Sequence, residues 1–158
     1  MPADRPARPL GVVVGAAAAA GLFIFTPAWE GIRYQTYRDP GGVLTYCTGA
    51  TESAIWGKTY TPEQCQAQLE RDLARHAQGV MSCIRAPLTD GQKIAFVDAA
   101  YNIGVAAFCA SSMARRANAG DMAGACAALS MWDKVDGKPM RGLTRRRAAE
   151  RALCEGKS

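Results

Sequence analysis

Six cysteines, at positions 47, 65, 83, 109, 126 and 154, constrain this 158-residue chain more than any other feature. None forms a CxxC pair and the single histidine is His76, so the usual zinc-ligand spacings are absent. An even number of well-separated cysteines behind an apolar N-terminal segment points to three disulfides formed in an oxidising compartment. Six cysteines admit fifteen pairings, and spacing alone does not choose among them. The length suits one cross-linked domain with a substantial core. No linker or internal repeat follows the N-terminal segment.

That segment is the second constraint. No charged residue lies between Arg8 and Glu30, and Leu10 to Phe25 reads LGVVVGAAAAAGLFIF, half of it Gly or Ala, with Arg5 and Arg8 ahead of it. A cleaved signal peptide, a permanent anchor and a weak anchor able to leave the bilayer are the three readings. Gly and Ala add little to insertion compared with Leu or Ile, so the span is marginal. No cysteine lies within it.

The net charge of +5 is unevenly placed. Residues 1–114 carry nine basic and nine acidic side chains, and residues 115–158 carry ten and five. A basic face there points to an anionic partner such as cell wall or lipid, against the alternative of a solvated helix face. Arg145, Arg146 and Arg147 read mostly as such a face.

Turn and cap signals divide the remainder. Residues 33–60, rich in Tyr, Thr and Gly with a turn at Asp39-Pro40-Gly41-Gly42, predict a hairpin or small three-stranded sheet. Thr61-Pro62-Glu63-Gln64 and Thr89-Asp90-Gly91-Gln92 are capping boxes opening two helices, the second stopping at Gly104. Further helices are expected from Ser111 or Ser112 to near Gly120, from Asp121 to Trp132, and from Leu143 to Cys154, with a turn at Asp136-Gly137. His76, in mid-helix, is expected at the surface, and Trp132 in the core. The fold class is therefore α+β, a small β lobe inserted early into a mainly helical domain.

Glycoside hydrolysis with inversion needs a protonated carboxyl at the leaving oxygen and a carboxylate holding water on the opposite face of the sugar. Glu30, behind an apolar run and Trp29, has the setting expected of the acid. Asp39 lies in a polar turn and is held extended by Pro40. Thr45, on the following strand, offers a hydroxyl to orient the water.

The segment WEGIRYQTYRDPGGVLTYCTG resembles the active-site segment of the T-even and lambdoid phage lysozymes, a glycoside hydrolase family. Its pattern of Glu, eight residues, Asp or Cys, five residues and Thr matches Glu30, Asp39 and Thr45, with Gly31, Arg33, Tyr37 and Gly42 at the surrounding positions. The similarity continues through TYTPEQC, AAYNIG, the stretch from Gly124 to Trp132, and GLTRRRAAERALC. It covers nearly everything after residue 28 and is closest to the lambdoid branch.

The resemblance implies a lysozyme-like fold and an endolysin. Glu30 would act as general acid, and Asp39 with Thr45 would handle the water. Gly49, Tyr101 and Ser111 match cleft-lining positions, and one arginine of the last helix approaches the acid. Ala50 stands where many relatives carry His. The disulfides implied are Cys47–Cys65 and Cys126–Cys154, with Cys83–Cys109 as the third. Residues 1–27 would form a releasable signal-anchor and 28–158 the catalytic domain. The protein would be held first at the host inner membrane, then released to the periplasm. The expected partners are peptidoglycan glycan strands and that membrane. No nucleic acid, cofactor or metal is expected, and the chain is expected to be a monomer. The competing functions are a lytic transglycosylase, which needs a single acidic Glu but no water-holding pair, and a non-enzymatic basic protein that binds membrane or wall.

Overall fold

The computed structural model describes residues 8–157. Its N-terminal segment folds as two helices, α1 (Leu10–Val14) and α2 (Ala16–Glu30), broken at Gly15. Arg5 lies outside the described residues. Leu10 and Val14, one turn apart, and Ala18, Leu22 and Thr26, at four-residue steps, form a single buried stripe. Gly21 sits against the Ile94 side chain so closely that a Cβ would collide with it. The Gly/Ala content therefore has a packing role: it lets α2 approach a neighbouring helix. Among the described residues, no helix is long and apolar enough to cross a membrane. α2 runs unbroken across residues 27 and 28, so the expected boundary falls within one helix.

A two-stranded antiparallel hairpin follows, β1 (Arg33–Arg38) and β2 (Leu44–Cys47), with Tyr37 opposite Thr45. A bridge from Gln35 to Thr59 supplies the third partner. Tyr46, Cys47, Ala50, Tyr60 and Cys65 form a small core beneath it, with Tyr46 and Tyr60 stacked at 4.4 Å.

The helical lobe comprises α3 (Pro62–Cys83), α4 (Asp90–Ile103), α5 (Val105–Cys109), α6 (Ser112–Asn118), α7 (Met122–Ala128) and α8 (Arg141–Cys154). Both capping boxes are complete: the Thr61 and Thr89 hydroxyls accept from the backbone of Gln64 and Gln92, whose side chains accept from the two threonine N–H groups. Gly104 ends α4. A 3₁₀ turn, Leu129–Met131, continues α7. Two short strands, β3 (Lys134–Val135) and β4 (Lys138–Pro139), flank the Asp136-Gly137 turn. One apolar core built around Leu73, Phe96, Phe108 and Met113 takes in α1 and α2 as well.

The six cysteines pair as Cys47–Cys65, Cys83–Cys109 and Cys126–Cys154, the same three pairs that the resemblance implies. They tie β2 to the start of α3, the end of α3 to α5, and α7 to the end of α8.

Candidate active site

Glu30 is the last residue of α2. Gly31 adopts φ +71°, a left-handed conformation that turns the chain away at once and leaves the carboxyl at the helix end. The Glu30 side chain is 22% exposed, and its Oε1 accepts a hydrogen bond from Arg146 Nη1 at 2.7 Å. It lines a cleft of about 300 Å³. One wall is the β-lobe loop Thr48–Glu52; the other is formed by α3 (Gln68, Asp72, Arg75, His76) and α4 (Tyr101, Asn102). The apolar setting expected around Glu30 is not what the fold provides. Adjacent helix residues point about 100° apart, so Trp29 turns to Phe25, at 6.2 Å between rings, while Glu30 faces polar groups.

Asp39 follows β1 at the turn. Its Oδ1 accepts from the backbone N–H groups of Gly41 and Val43, both at 2.9 Å, and its own N–H donates to the Val43 carbonyl. Among the described residues, Oδ2 has no protein partner. Thr45 is 4% exposed, and its hydroxyl donates to the same Val43 carbonyl at 2.9 Å. Val43 thus gathers Asp39 and Thr45 at the tip of the hairpin. Neither lines the cleft segment around Glu30 itself.

Gly49 lies against the acid: a Cβ there would stand 3.8 Å from Glu30 Oε2, and its φ of +97° favours glycine. Tyr101 also lines the cleft, but its hydroxyl donates to the Thr48 carbonyl at 2.9 Å, joining α4 to the β lobe, and burial pushes the phenol up. Ser111, expected in the cleft, is instead the buried N-cap of α6. Its hydroxyl donates to the Phe108 carbonyl and accepts from the Ala114 N–H, which fixes it away from the lining residues.

Two expectations about charged residues are corrected. Arg146 and Arg147 are not a solvated face: they are 4% and 1% exposed. Three consecutive helical residues cannot share one face, and 146, 147, 150 and 154 make the inward stripe of α8. His76 is half-buried at the cleft wall, its Nδ1 2.6 Å from the Asp72 carbonyl and its ring 5.1 Å from that of Tyr101. The signal for it was present, because Gln68, Asp72, Arg75 and His76 recur at helical spacing as a polar stripe beside the apolar one.

Asp98, on α4, went unnoticed in the sequence. It is fully buried and accepts from Arg146 Nε at 2.9 Å, Arg146 Nη2 at 3.0 Å and the Thr26 hydroxyl at 2.7 Å. Burial works against its charge, but hydrogen bonds from Glu150 and Arg146, the Arg146 charge and Thr26 together hold its carboxyl below the ordinary aspartate range. Burial pushes the Glu150 carboxyl up to about 10, reinforced by its contact with Asp98 and opposed by Arg147 and Arg146. Glu150 is therefore neutral, and a proton on it accounts for an Oε2 that otherwise lacks a partner. Arg146 thus bonds both Asp98 and Glu30, while Arg147 bonds Glu150.

A carboxyl fixed by an arginine at the junction of a β lobe and a helical lobe is a site able to protonate a glycosidic oxygen. The phage lysozyme family model matches residues 27–150. The SAR-endolysin of bacteriophage PS119 is 37% identical over 158 aligned residues, spanning 97% of this chain and 95% of its own. The muramidase domain of SpmX from Asticaccaulis excentricus superimposes with a TM-score of 0.78 at 33% identity, over 84% of this chain and 93% of that one. The endolysin of Escherichia coli O157:H7 phage FAHEc1 gives 0.76 at 28%, over 89% and 91%. The chain belongs to the phage lysozyme family of glycoside hydrolases.

Proposed function

We propose that this protein is an endolysin, a muramidase that hydrolyses the β-1,4 bond between N-acetylmuramic acid and N-acetylglucosamine in peptidoglycan and so lyses the host cell. The observation that carries the reading is Glu30, held at 2.7 Å by Arg146 and open to the inter-lobe cleft. Glu30 protonates the leaving oxygen as the glycosidic bond breaks. Water, held by the free Oδ2 of Asp39 and the Thr45 hydroxyl, attacks C1 from the opposite face and gives its proton to Asp39. Gly49 and Tyr101 border the sugar that occupies the cleft. The test is clearing of purified cell walls by wild type and Glu30→Gln. Loss of a general acid removes about 10²–10⁴-fold of rate, so the variant should be silent. Clearing above about a tenth of wild type contradicts a role of that size.

We also infer that residues 1–27 are a releasable signal-anchor ahead of a catalytic domain at 28–158, inserted first in the inner membrane and then withdrawn to act in the periplasm as a monomer. Three observations support this: the charge-free, half-Gly/Ala stretch, the near full-length likeness to proteins named SAR-endolysin, and the three disulfides. Residues that would face lipid in the anchored form, such as Leu10, Val14 and Leu22, are core residues once docked. Glu30 lies five residues past Phe25, about 7.5 Å along a helix, so anchoring holds the acid at the bilayer surface, out of its cleft. With no cysteine in the segment, release proceeds by refolding rather than disulfide exchange. On collapse of the membrane potential by an uncoupler, uncleaved protein should move from membrane to periplasm as lysis begins. A shortened N-terminus in the active protein would instead establish a cleaved signal peptide.

A further inference from the structure

We propose that Asp98 is a positioning residue of the reaction: buried where α2, α4 and α8 meet, it clamps Arg146 so that the one remaining guanidinium nitrogen reaches Glu30. The inference rests on Glu30 being the acid. The geometry is specific. Asp98 engages Nε through Oδ2 and Nη2 through Oδ1, both on one edge of the guanidinium, and the planar group then directs Nη1 at Glu30 Oε1. Thr26, four residues before Glu30 on the same helix, donates to Asp98 Oδ1. The carboxylate is therefore tied both to the helix that carries the acid and to the arginine that holds it.

Asp98 also supplies the buried Arg146 guanidinium with a countercharge on the edge away from Glu30. The other groups around Glu30 are Glu52 from the β lobe, Asp72, Arg75 and His76 from α3, and Tyr101 from α4. Around Asp98 itself stand Thr26, Arg146 and the neutral Glu150, with Arg147 bonded to Glu150.

Asp98→Asn removes the charge while keeping the shape, and an oxygen remains to accept from Thr26. On soluble glycan strands its kcat should fall about 10²-fold with KM nearly unchanged, the effect of a small misplacement of a reacting group. A folded variant with wild-type kcat would overturn the proposal. If Asp98→Asn does not fold, Thr26→Val gives the same readout. It should lower kcat with KM unchanged and be rescued by Thr26→Ser, and wild-type kcat in Thr26→Val would overturn the clamp. Glu30→Gln is run beside them. If it remains active, the assignment of the acid fails; if it is silent while Asp98→Asn is fully active, only the positioning role fails.

Discussion

Replacing Glu150 with Gln isolates the buried proton in the arginine cluster. In the unfolded chain this glutamate ionises near its ordinary value of 4.5, whereas in the folded protein it keeps its proton up to about 10. The stability it contributes is fully present below 4.5 and is lost as pH rises toward 10. Each pH unit in that window removes up to about 1.4 kcal/mol, so roughly 3 kcal/mol has gone by about pH 7. Glutamine keeps an acceptor for Arg147 and a donor for Asp98 but does not titrate. Glu150→Gln should therefore match wild type near the bottom of the window, exceed it at neutral pH and above, and show a flatter dependence. Few other groups interfere, since the chain has one histidine and all six cysteines are in disulfides. Asp98 acts in the opposite sense: its folded value is depressed, so its contribution is present above the ordinary aspartate value and lost in acid, outside the window. Urea unfolding of the soluble full-length protein at several pH values between about 6 and about 9.5 reads the difference. Parallel curves for wild type and Glu150→Gln would refute a neutral Glu150.

Asp39→Asn keeps an oxygen for the Gly41 and Val43 N–H groups, so the turn should survive with an unchanged melting temperature while wall clearing collapses; normal clearing would remove Asp39 from the water-holding role. Replacing Cys126 and Cys154 by Ala opens a link with a sequence separation of 28 and should cost about 3–4 kcal/mol by loop closure, read as a lower urea midpoint. Gly91→Ala drives a Cβ into the Leu153 carbonyl where α4 meets the end of α8, and should cost about 1–3 kcal/mol in the same assay. No loss would mean that the two helices are not in contact there.

The helix starts were legible because Thr61 and Thr89 satisfy local rules of capping, which need no tertiary information. The turns at Asp39-Pro40 and Asp136-Gly137 were legible for the same reason. α5 was missed because five residues are too few to show a period, and β3 and β4 because two-residue strands carry no alternation. α8 begins at Arg141 rather than Leu143, an offset of the size that helix ends ordinarily show. The triad segment was visible through its spacing and its likeness to a family. The groups behind it were not. Arg146, Arg147 and Glu150 look like an ordinary charged helix until α4 is placed beneath them. Asp98 alone gave a hint, as the one carboxyl in the otherwise apolar run from Ile94 to Ala100. A buried charge announces the need for a partner, but the partner lies 48 residues away and only folding identifies it.

Hydrolysis by an acid at Glu30, with water held on the opposite face, is tested most directly by the chemistry of the newly formed glycan end. Purified glycan strands digested in ¹⁸O-labelled water and followed by NMR and mass spectrometry should yield reducing ends. The label should sit at C1, and the α anomer should appear first, because the β bond is cleaved with inversion. A 1,6-anhydro end without label would establish transglycosylation. A labelled β anomer appearing first would replace the positioned water with a covalent intermediate, and either result would contradict the role assigned to Asp39 and Thr45.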